Sequence, residues 1–152
     1  MSEAVKTPAL KSEAKKIPRP LPRVNAYMDT KPFWEAAKNG KLLIQYCKES
    51  GKPQWFPRPV SLTTGKRKLE WREVSGRGKV YSWTLTYSAW PGHEDRIPYI
   101  CALVELDEGV RMLVNLLNVK SEDVRIDMPV KLCWEKLSDE INFPAFEPVT
   151  PR

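Results

Sequence analysis

The sequence predicts a mainly β protein in which a short helix and a small strand-and-turn module precede a five-stranded barrel. Apolar and polar residues alternate in several segments separated by Gly and Pro, which is typical of half-buried strands. Prolines number 14 in 152 residues and argue against long helices. About five longer strands follow one another over some 70 residues, which favours a closed Greek-key barrel over a two-sheet sandwich.

The first 27 residues are predicted to form an extended basic arm. Residues 1–23 contain six Lys or Arg against two Glu, and Pro18, Pro20 and Pro22 stand at every second position. Prolines at this spacing favour polyproline-like backbone without internal hydrogen bonds. Two interpretations stay open, a solvated tail or a strap that becomes ordered on a partner subunit.

One short helix is expected after the arm. Asp29 or Thr30 can cap its first turn, and Pro32 is compatible with that turn. Gly40 follows as a C-terminal stop. The apolar face of this helix would consist of Phe33, Trp34 and Ala37.

From residue 41 onwards the pattern predicts strands. The segment 41–47 carries Leu42, Ile44 and Tyr46 in alternation. The clearest hairpin signal is the turn at residues 107–109, Asp-Glu-Gly, between two apolar runs that must pair antiparallel. Strands are expected near residues 41–47, 54–57, 68–75, 78–90, 98–107, 110–118 and 129–136.

Charge and cysteine content restrict the class of protein. Of the net charge of +6, residues 1–23 supply +4, so the rest of the chain is nearly balanced and a strong nucleic-acid groove is not expected. An odd set of cysteines, Cys47, Cys101 and Cys133, argues against a disulfide framework. No apolar run approaches the roughly 20 residues of a membrane span. We therefore expect a cytoplasmic protein with no membrane contact.

Residues 47–64 resemble the two knuckles of a zinc ribbon that has lost its ligands. The four ligand positions hold Cys47, Ser50, Ser61 and Thr64. A structural zinc site needs thiolate or imidazole donors, and a hydroxyl stays protonated near neutral pH and binds the ion weakly. We therefore expect no zinc. Burial of apolar side chains should replace the metal, and the candidates are Trp55, Phe56, Leu62, Leu69 and Trp71.

Several short motifs, among them Pro32 to Trp34, Ser75 to Thr84 and Val104 to Arg111, follow one another in an order that resembles a known family, the proteins catalogued as domain of unknown function thirty-five. Members join a rubredoxin-like zinc ribbon to an OB-fold and accompany acyl-CoA enzymes. The resemblance runs from about Met28 to Val149, with Asp127 where the family usually has Gly. It rests on Pro32 to Trp34, Gly40, Leu42, Gln45 to Cys47, Pro57, Arg58, Ser75 to Thr84, Pro98, Tyr99, Val104 to Arg111 and Met128 to Val130.

The resemblance implies both a domain plan and a role. Residues 28–70 would form the helix and a degenerate, metal-less ribbon, and residues 71–149 the OB-fold barrel. The role would be that of a non-catalytic accessory subunit in a hetero-oligomer with a thiolase-like enzyme, an acyltransferase or aldolase. Such a subunit would stabilise its partner and help to bind CoA or an acyl-CoA, with no tightly bound cofactor.

Five residues are candidates for the CoA contact. In the segment SGRGKV, Gly78 exposes backbone amides beside Arg77 and Lys79, which could meet phosphates. The glycines could equally serve only to bend a barrel strand. Trp83 could stack on a base, although packing is the commoner fate of such a residue. Arg96 lies in a longer loop whose mixture of aromatic and charged residues favours contact with a ligand or partner.

No catalytic residue is predicted. His93, the only histidine, lacks a neighbouring nucleophile motif in the sequence. The acidic pair Asp107 and Glu108 occupies the predicted hairpin turn and is explained by turn chemistry. One alternative function is a stand-alone binder of single-stranded nucleic acid, because OB barrels often serve that purpose. An autonomous hydrolase or transferase is a weaker alternative.

Overall fold

The computed structural model describes residues 20, 21, 24 and 29–149. The predicted arm therefore falls almost wholly outside the described residues. Within the part of the chain that is described, no helix combines the length and hydropathy needed to cross a bilayer. The elements are α1 (Lys31–Lys38), β1 (Leu43–Cys47), β2 (Pro53–Gln54), β3 (Leu69–Glu73), β4 (Arg77–Thr86), β5 (Tyr99–Leu106), β6 (Arg111–Leu116), a 3-10 turn (Ser121–Asp123), β7 (Pro129–Lys136) and β8 (Asn142–Pro148).

Helix α1 forms where the sequence predicts it. Pro32 stands in its first turn, and Gly40 follows its last residue with φ of +72°, a conformation that favours glycine. Phe33 and Ala37 are buried, which places the apolar face of the helix against the rest of the protein.

The strands β2, β1 and β3 form a small antiparallel sheet. β1 is central and pairs with β3 over five positions, from Leu43 with Glu73 to Cys47 with Leu69. The domain boundary predicted at residue 70 stays a prediction. Strand β3 extends across residue 70 and pairs within the smaller sheet.

The other five strands close a barrel in the order β4, β5, β6, β8, β7, with β7 returning to β4. The predicted hairpin is confirmed, because β5 and β6 pair antiparallel up to Glu105 and Arg111. The contact between β6 and β8 is parallel, at Leu116 and Phe146. This topology is the predicted OB-fold, a mainly β architecture with one short helix.

Strand β8 was not among the strands expected from the sequence. It contains Pro144 and ends at Pro148, and proline usually argues against a strand because it cannot donate to the ladder. β8 nevertheless pairs with β7 over seven positions. Its first residue, Asn142, donates hydrogen bonds of 3.1 Å to the carbonyl oxygens of Ala37 and Lys38, so β8 also holds the end of α1.

The core lies inside the barrel. Alternate residues of β5 and β6 point inward and are buried, as expected for strands with one face towards a core. The largest fully buried side chains of the barrel are Phe146, Met112, Val80, Val104 and Val130.

Strand β4 is longer than its neighbour on one side. It pairs with β5 from Gly78 to Thr86 but with β7 only from Arg77 to Lys79, and its register shifts between Val80 and Ser82. Among the described residues, the second half of β4 therefore extends beyond β7 and pairs with β5. The loop of residues 87–98 follows at this far end.

Candidate functional site

The five residues predicted to contact CoA do not form one cluster. Arg77, Gly78 and Lys79 open β4, Trp83 lies in its second half, and Arg96 lies in the loop beyond its end. The ten residues of an extended strand such as β4 span about 30 Å. The structure therefore offers two separate candidate sites at opposite ends of this strand.

Gly78 is explained by the close approach of two strands. A Cβ atom at this position would lie 2.4 Å from the backbone oxygen of Glu105 on β5. Gly76 is similar, because its φ is +66° and a Cβ atom would lie 2.7 Å from Cβ of Leu132. Both glycines are thus required by barrel packing, the structural interpretation considered above.

The two cations beside these glycines have carboxylate partners. Nε of Arg77 lies 3.4 Å from Oδ2 of Asp107, and Nζ of Lys79 lies 2.8 Å from Oδ1 of Asp127. The hydrogen bond to Asp127 raises the pKa of Lys79. A phosphate group at this strand end would have to compete with both carboxylates, so the positive charge available to a ligand is small.

The aromatic residues of β4 differ in how they are covered. The guanidinium of Arg111 stacks on the ring of Tyr81, 3.5 Å from its centroid. Arg111 is in turn bonded to Glu105 over 2.8 Å. Trp83 is 36% exposed and remains available for a contact.

A cavity of about 290 Å³ opens beside Arg96 at the far end of β4. Arg96 donates to Glu135 over 2.9 Å, and both side chains are mostly buried. A second cavity of about 290 Å³ shares Arg96, Tyr99 and Asn115 with the first. The remaining lining of the first cavity is His93, Cys101, Leu113, Val114 and Phe143.

Most of this cavity could not be predicted from the sequence. Phe143 comes from the unpredicted strand β8, and Asn115 lies on the outer face of β6, where it accepts a hydrogen bond of 3.8 Å from the thiol of Cys101. The alternation in β5 and β6 could have placed Cys101 and Asn115 on one face, but nothing in the sequence brings Phe143 to them. The cavity is a groove in which one cation faces apolar side chains.

His93 lies in a turn of the β4–β5 loop. Its backbone N–H donates to the carbonyl of Trp90 over 2.9 Å, and its own carbonyl accepts from Arg96 over 3.1 Å. Its side chain lines the first cavity. The loop thus places the side chains of His93 and Arg96 together in the lining of the groove.

Ser50, Ser61 and Thr64, three of the four residues compared with zinc ligands in the sequence, lie around the fourth, Cys47. Hydrogen bonds from the hydroxyls of Ser50 and Ser61, then from the Ser50 backbone and the hydroxyl of Thr64, lower the pKa of Cys47 to about 6. Sγ of Cys47 lies 3.7 Å from Oγ1 of Thr64. Ser61 Oγ also accepts from the backbone N–H groups of Thr63 and Thr64.

This donor set does not fit zinc. One thiol and three hydroxyls cannot replace the thiolate or imidazole ligands of a structural site. Nor do the described residues contain another group of three or more His, Cys, Asp or Glu arranged for a metal. A metal-free state of this module stays our prediction, now based on the positions of four named side chains.

The predicted apolar replacement for the metal is wrong in part. Phe56 is 60% exposed and Leu62 is 62% exposed, so neither is buried, whereas Trp55 and Trp71 do pack against the core. Phe56 instead stacks on Trp55 at the surface, with ring centroids 5.4 Å apart. Apolar burial therefore does not by itself stabilise the two turns of this module, residues 47–51 and 61–65.

Two buried glutamines, Gln45 and Gln54, also stabilise this module. Nε2 of Gln54 donates to Oε1 of Gln45 over 2.9 Å. The same Oε1 accepts from the backbone of Arg58 over 2.8 Å, and Oε1 of Gln54 accepts from the backbone of Leu62 over 2.9 Å. The pair thus fixes residues 58–62 by hydrogen bonds, a role that sequence analysis did not detect.

A small sheet with two facing turns joined to an OB-fold barrel defines a two-part β architecture, and comparison with known proteins identifies its family. The family model described as the ChsH2 C-terminal OB-fold domain matches residues 71–135. The chain is 33% identical over 110 residues to a DUF35 domain-containing scaffold protein of Methanocaldococcus jannaschii, covering 70% of this chain and 77% of that protein. This chain belongs to the DUF35 family.

Two further similarities involve proteins named for acyl-CoA chemistry or an aldolase. A probable enoyl-CoA hydratase alpha subunit of Thermomonospora curvata is 34% identical over 134 residues, covering 88% of this chain and 41% of that subunit. The solved structure titled Ltp2-ChsH2(DUF35) aldolase superposes with a TM-score of 0.76 and 32% identity, covering 83% of this chain and 98% of the matched chain. The chain spans about two fifths of the hydratase subunit.

Proposed function

We propose that this chain is a non-catalytic accessory subunit of an enzyme complex in acyl-CoA metabolism. The observation that carries the proposal is the superposition on the matched chain of the Ltp2-ChsH2(DUF35) aldolase over nearly the whole of that chain. The partner we propose is a thiolase-like enzyme, an acyltransferase or aldolase. The similarity to a hydratase alpha subunit makes a hydratase the second candidate for the partner.

The β4–β5 loop and the adjoining outer face of β6 are the proposed contact with that partner. Trp90 is 80% exposed, Tyr87 70% and Leu113 66%. Exposed large apolar side chains are typical of protein interfaces, and Tyr87 and Trp90 belong to the same loop. Leu113 also lines the cavity beside Arg96, so a partner seated here would close the groove.

Two of its three thiols, Cys47 and Cys133, are unsuited to covalent chemistry. A nucleophilic cysteine must be both ionised and accessible. Cys47 has a low pKa but is only 1% exposed. Cys133 has its pKa raised to about 11 by burial and the nearby Glu147 and Glu135, so it stays protonated at neutral pH.

Binding of single-stranded nucleic acid is disfavoured by the charge of the barrel. Residues 71–149 contain thirteen Asp or Glu against nine Lys or Arg. An OB-fold that binds a strand combines a basic groove with stacking side chains. The net negative charge of this barrel would repel the phosphates that such a groove must attract.

Co-purification with a thiolase-like enzyme tests the proposal. We expect the two chains to elute together as a complex when they are co-expressed, and Trp90→Ala with Leu113→Asp to abolish that elution. Ile126→Asp is the matched control, because Ile126 is also exposed, at 57%, but lies outside the proposed contact. Separate elution of the wild-type chains with thiolase-like and hydratase partners alike would refute the proposal.

A further inference from the structure

The near balance of charge after the arm conceals a separation between the two parts of the fold. The segment 48–68 of the smaller module contains six cations and one carboxylate, Glu49. The barrel is net negative. The cations of the segment are Lys48, Lys52, Arg58, Lys66, Arg67 and Lys68.

Backbone hydrogen bonds gather four of these lysines around the two facing turns. Lys48 donates to the carbonyl of Lys68 over 2.9 Å, and Lys52 accepts from Cys47 over 2.9 Å. Lys66 accepts from Ser61 over 2.9 Å, on the opposite turn. We call the surface formed by Lys48, Lys52, Lys66, Arg67 and Lys68 the basic tip, and all five residues are exposed.

The basic tip carries more positive charge than its carboxylate can neutralise. Glu49 bonds both Lys66, over 3.1 Å, and Lys68, over 2.8 Å, and these bonds lower the pKa of Glu49. Lys48, Lys52 and Arg67 have no carboxylate partner among the described residues. The predicted phosphate contacts on the barrel differ, since Arg77 and Lys79 are both paired.

We propose that the basic tip binds the phosphate groups of a CoA thioester. Three unpaired cations on two adjacent turns suit a compact ligand with several phosphates, whose charge is concentrated within a few ångströms. A nucleic-acid strand needs a longer track, and the neighbouring barrel is acidic. The identity of the ligand rests on the proposed function, but the location does not.

Calorimetric titration of the full chain with CoA and with 3′,5′-ADP tests the location. We expect Lys52→Glu with Arg67→Glu to weaken binding of both ligands at least about tenfold, because two attractive charges become repulsive. The matched control is Lys120→Glu with Arg125→Glu, two exposed cations of the barrel, which we expect to bind within about twofold of wild type. Arg77→Glu with Lys79→Glu is the strand-end control and tests the competing candidate site. Affinity for both ligands should fall as salt is added.

Three results would overturn this inference. They are unchanged CoA affinity in the tip variant, a larger loss in the strand-end control, and tighter binding of a single-stranded oligonucleotide than of CoA. Co-purification with the thiolase-like partner is measured separately. A partner that binds a tip variant with lost CoA affinity leaves the proposed function standing. If the chain binds CoA but co-elutes with neither candidate partner, only the proposed function is contradicted.

Discussion

The side-chain amide of Gln54 donates a hydrogen bond of 2.9 Å to the side-chain oxygen of Gln45, and both residues are more than nine-tenths buried. Around this contact the two amides also bond the backbone at residues 58, 60 and 62. These buried amides stabilise the fold only when every polar group has a hydrogen-bond partner, because a buried polar group without one lowers the free energy of unfolding. The pair thus links strands β1 and β2 to the segment 58–62.

Replacing Gln54 with Met should destabilise the protein by about 1–3 kcal/mol, although Met has a similar length and is more apolar. The loss arises because Oε1 of Gln45 and the N–H of Leu62 lose partners. Urea unfolding measures it. Thr63→Ala, at an exposed neighbour, should change the free energy of unfolding by less than about 0.5 kcal/mol. Equal effects of the two substitutions would contradict a structural role for the pair.

Gly78→Ala should destabilise the barrel by about 3 kcal/mol, because the new Cβ would lie 2.4 Å from a backbone oxygen that cannot easily move. Gly65→Ala is the comparison. At Gly65 a Cβ meets nothing within 4 Å and the cost is that of a positive φ, about 1 kcal/mol. Thermal unfolding of the two variants measures the difference. A smaller loss at Gly78 than at Gly65 would show that the strands separate readily.

Stability should depend on pH through Cys47. Its pKa falls from an ordinary 9.0 to about 6 in the folded protein, so between these values the unfolded state binds more protons than the folded state. The free energy of unfolding should therefore rise as pH increases from 6 to 9 and be lost as pH falls through 6. Urea unfolding across this range measures the slope.

Cys133 supplies the control for this titration. Its pKa is raised to about 11, so it stays protonated across the same range. Cys133→Ala should keep the rise in stability, whereas Cys47→Ala should remove the thiol component. A thiolate absorbance that titrates near 9 in the native protein would contradict the hydrogen-bonded thiolate.

Cysteines at the three hydroxyl positions around Cys47 should create a zinc site. In the triple variant Ser50→Cys, Ser61→Cys and Thr64→Cys, three new thiols would replace the hydroxyls that now surround Cys47. Structural zinc sites are built from such a set of four cysteines. Metal analysis should find one zinc per chain in this variant and none in the wild type. Adding Cys47→Ala should weaken that binding, and stoichiometric zinc in the wild type would contradict the donor-set argument.

Local patterns predicted most of the fold. Pro32, Gly40 and an apolar face were sufficient to predict α1, and alternation of apolar residues with the Asp-Glu-Gly turn was sufficient for β5 and β6, because the forces that form these elements act over a few residues. Strand β8 was missed because Pro144 argues against a strand, and its pairing with β7 and β6 is evident only in the folded protein.

The functional surfaces were harder to predict. The cavity joins Arg96 to Phe143, which are 47 positions apart in the numbering, and no local pattern reports such a contact. The two glutamines were missed because a polar residue in a strand is normally assigned to the exposed face. The basic tip was missed because the negative charge of the barrel nearly cancels the positive charge of the tip in the net charge of the chain after the arm.

We propose that this chain supports a partner enzyme and does not itself turn over an acyl-CoA. Steady-state turnover measured while the chain is added to a fixed amount of thiolase-like partner tests it most directly. We predict no turnover by the chain alone and a rise with the partner that saturates at a fixed ratio of the two chains. Turnover by the isolated chain, or a partner activity that does not depend on it, would contradict the account.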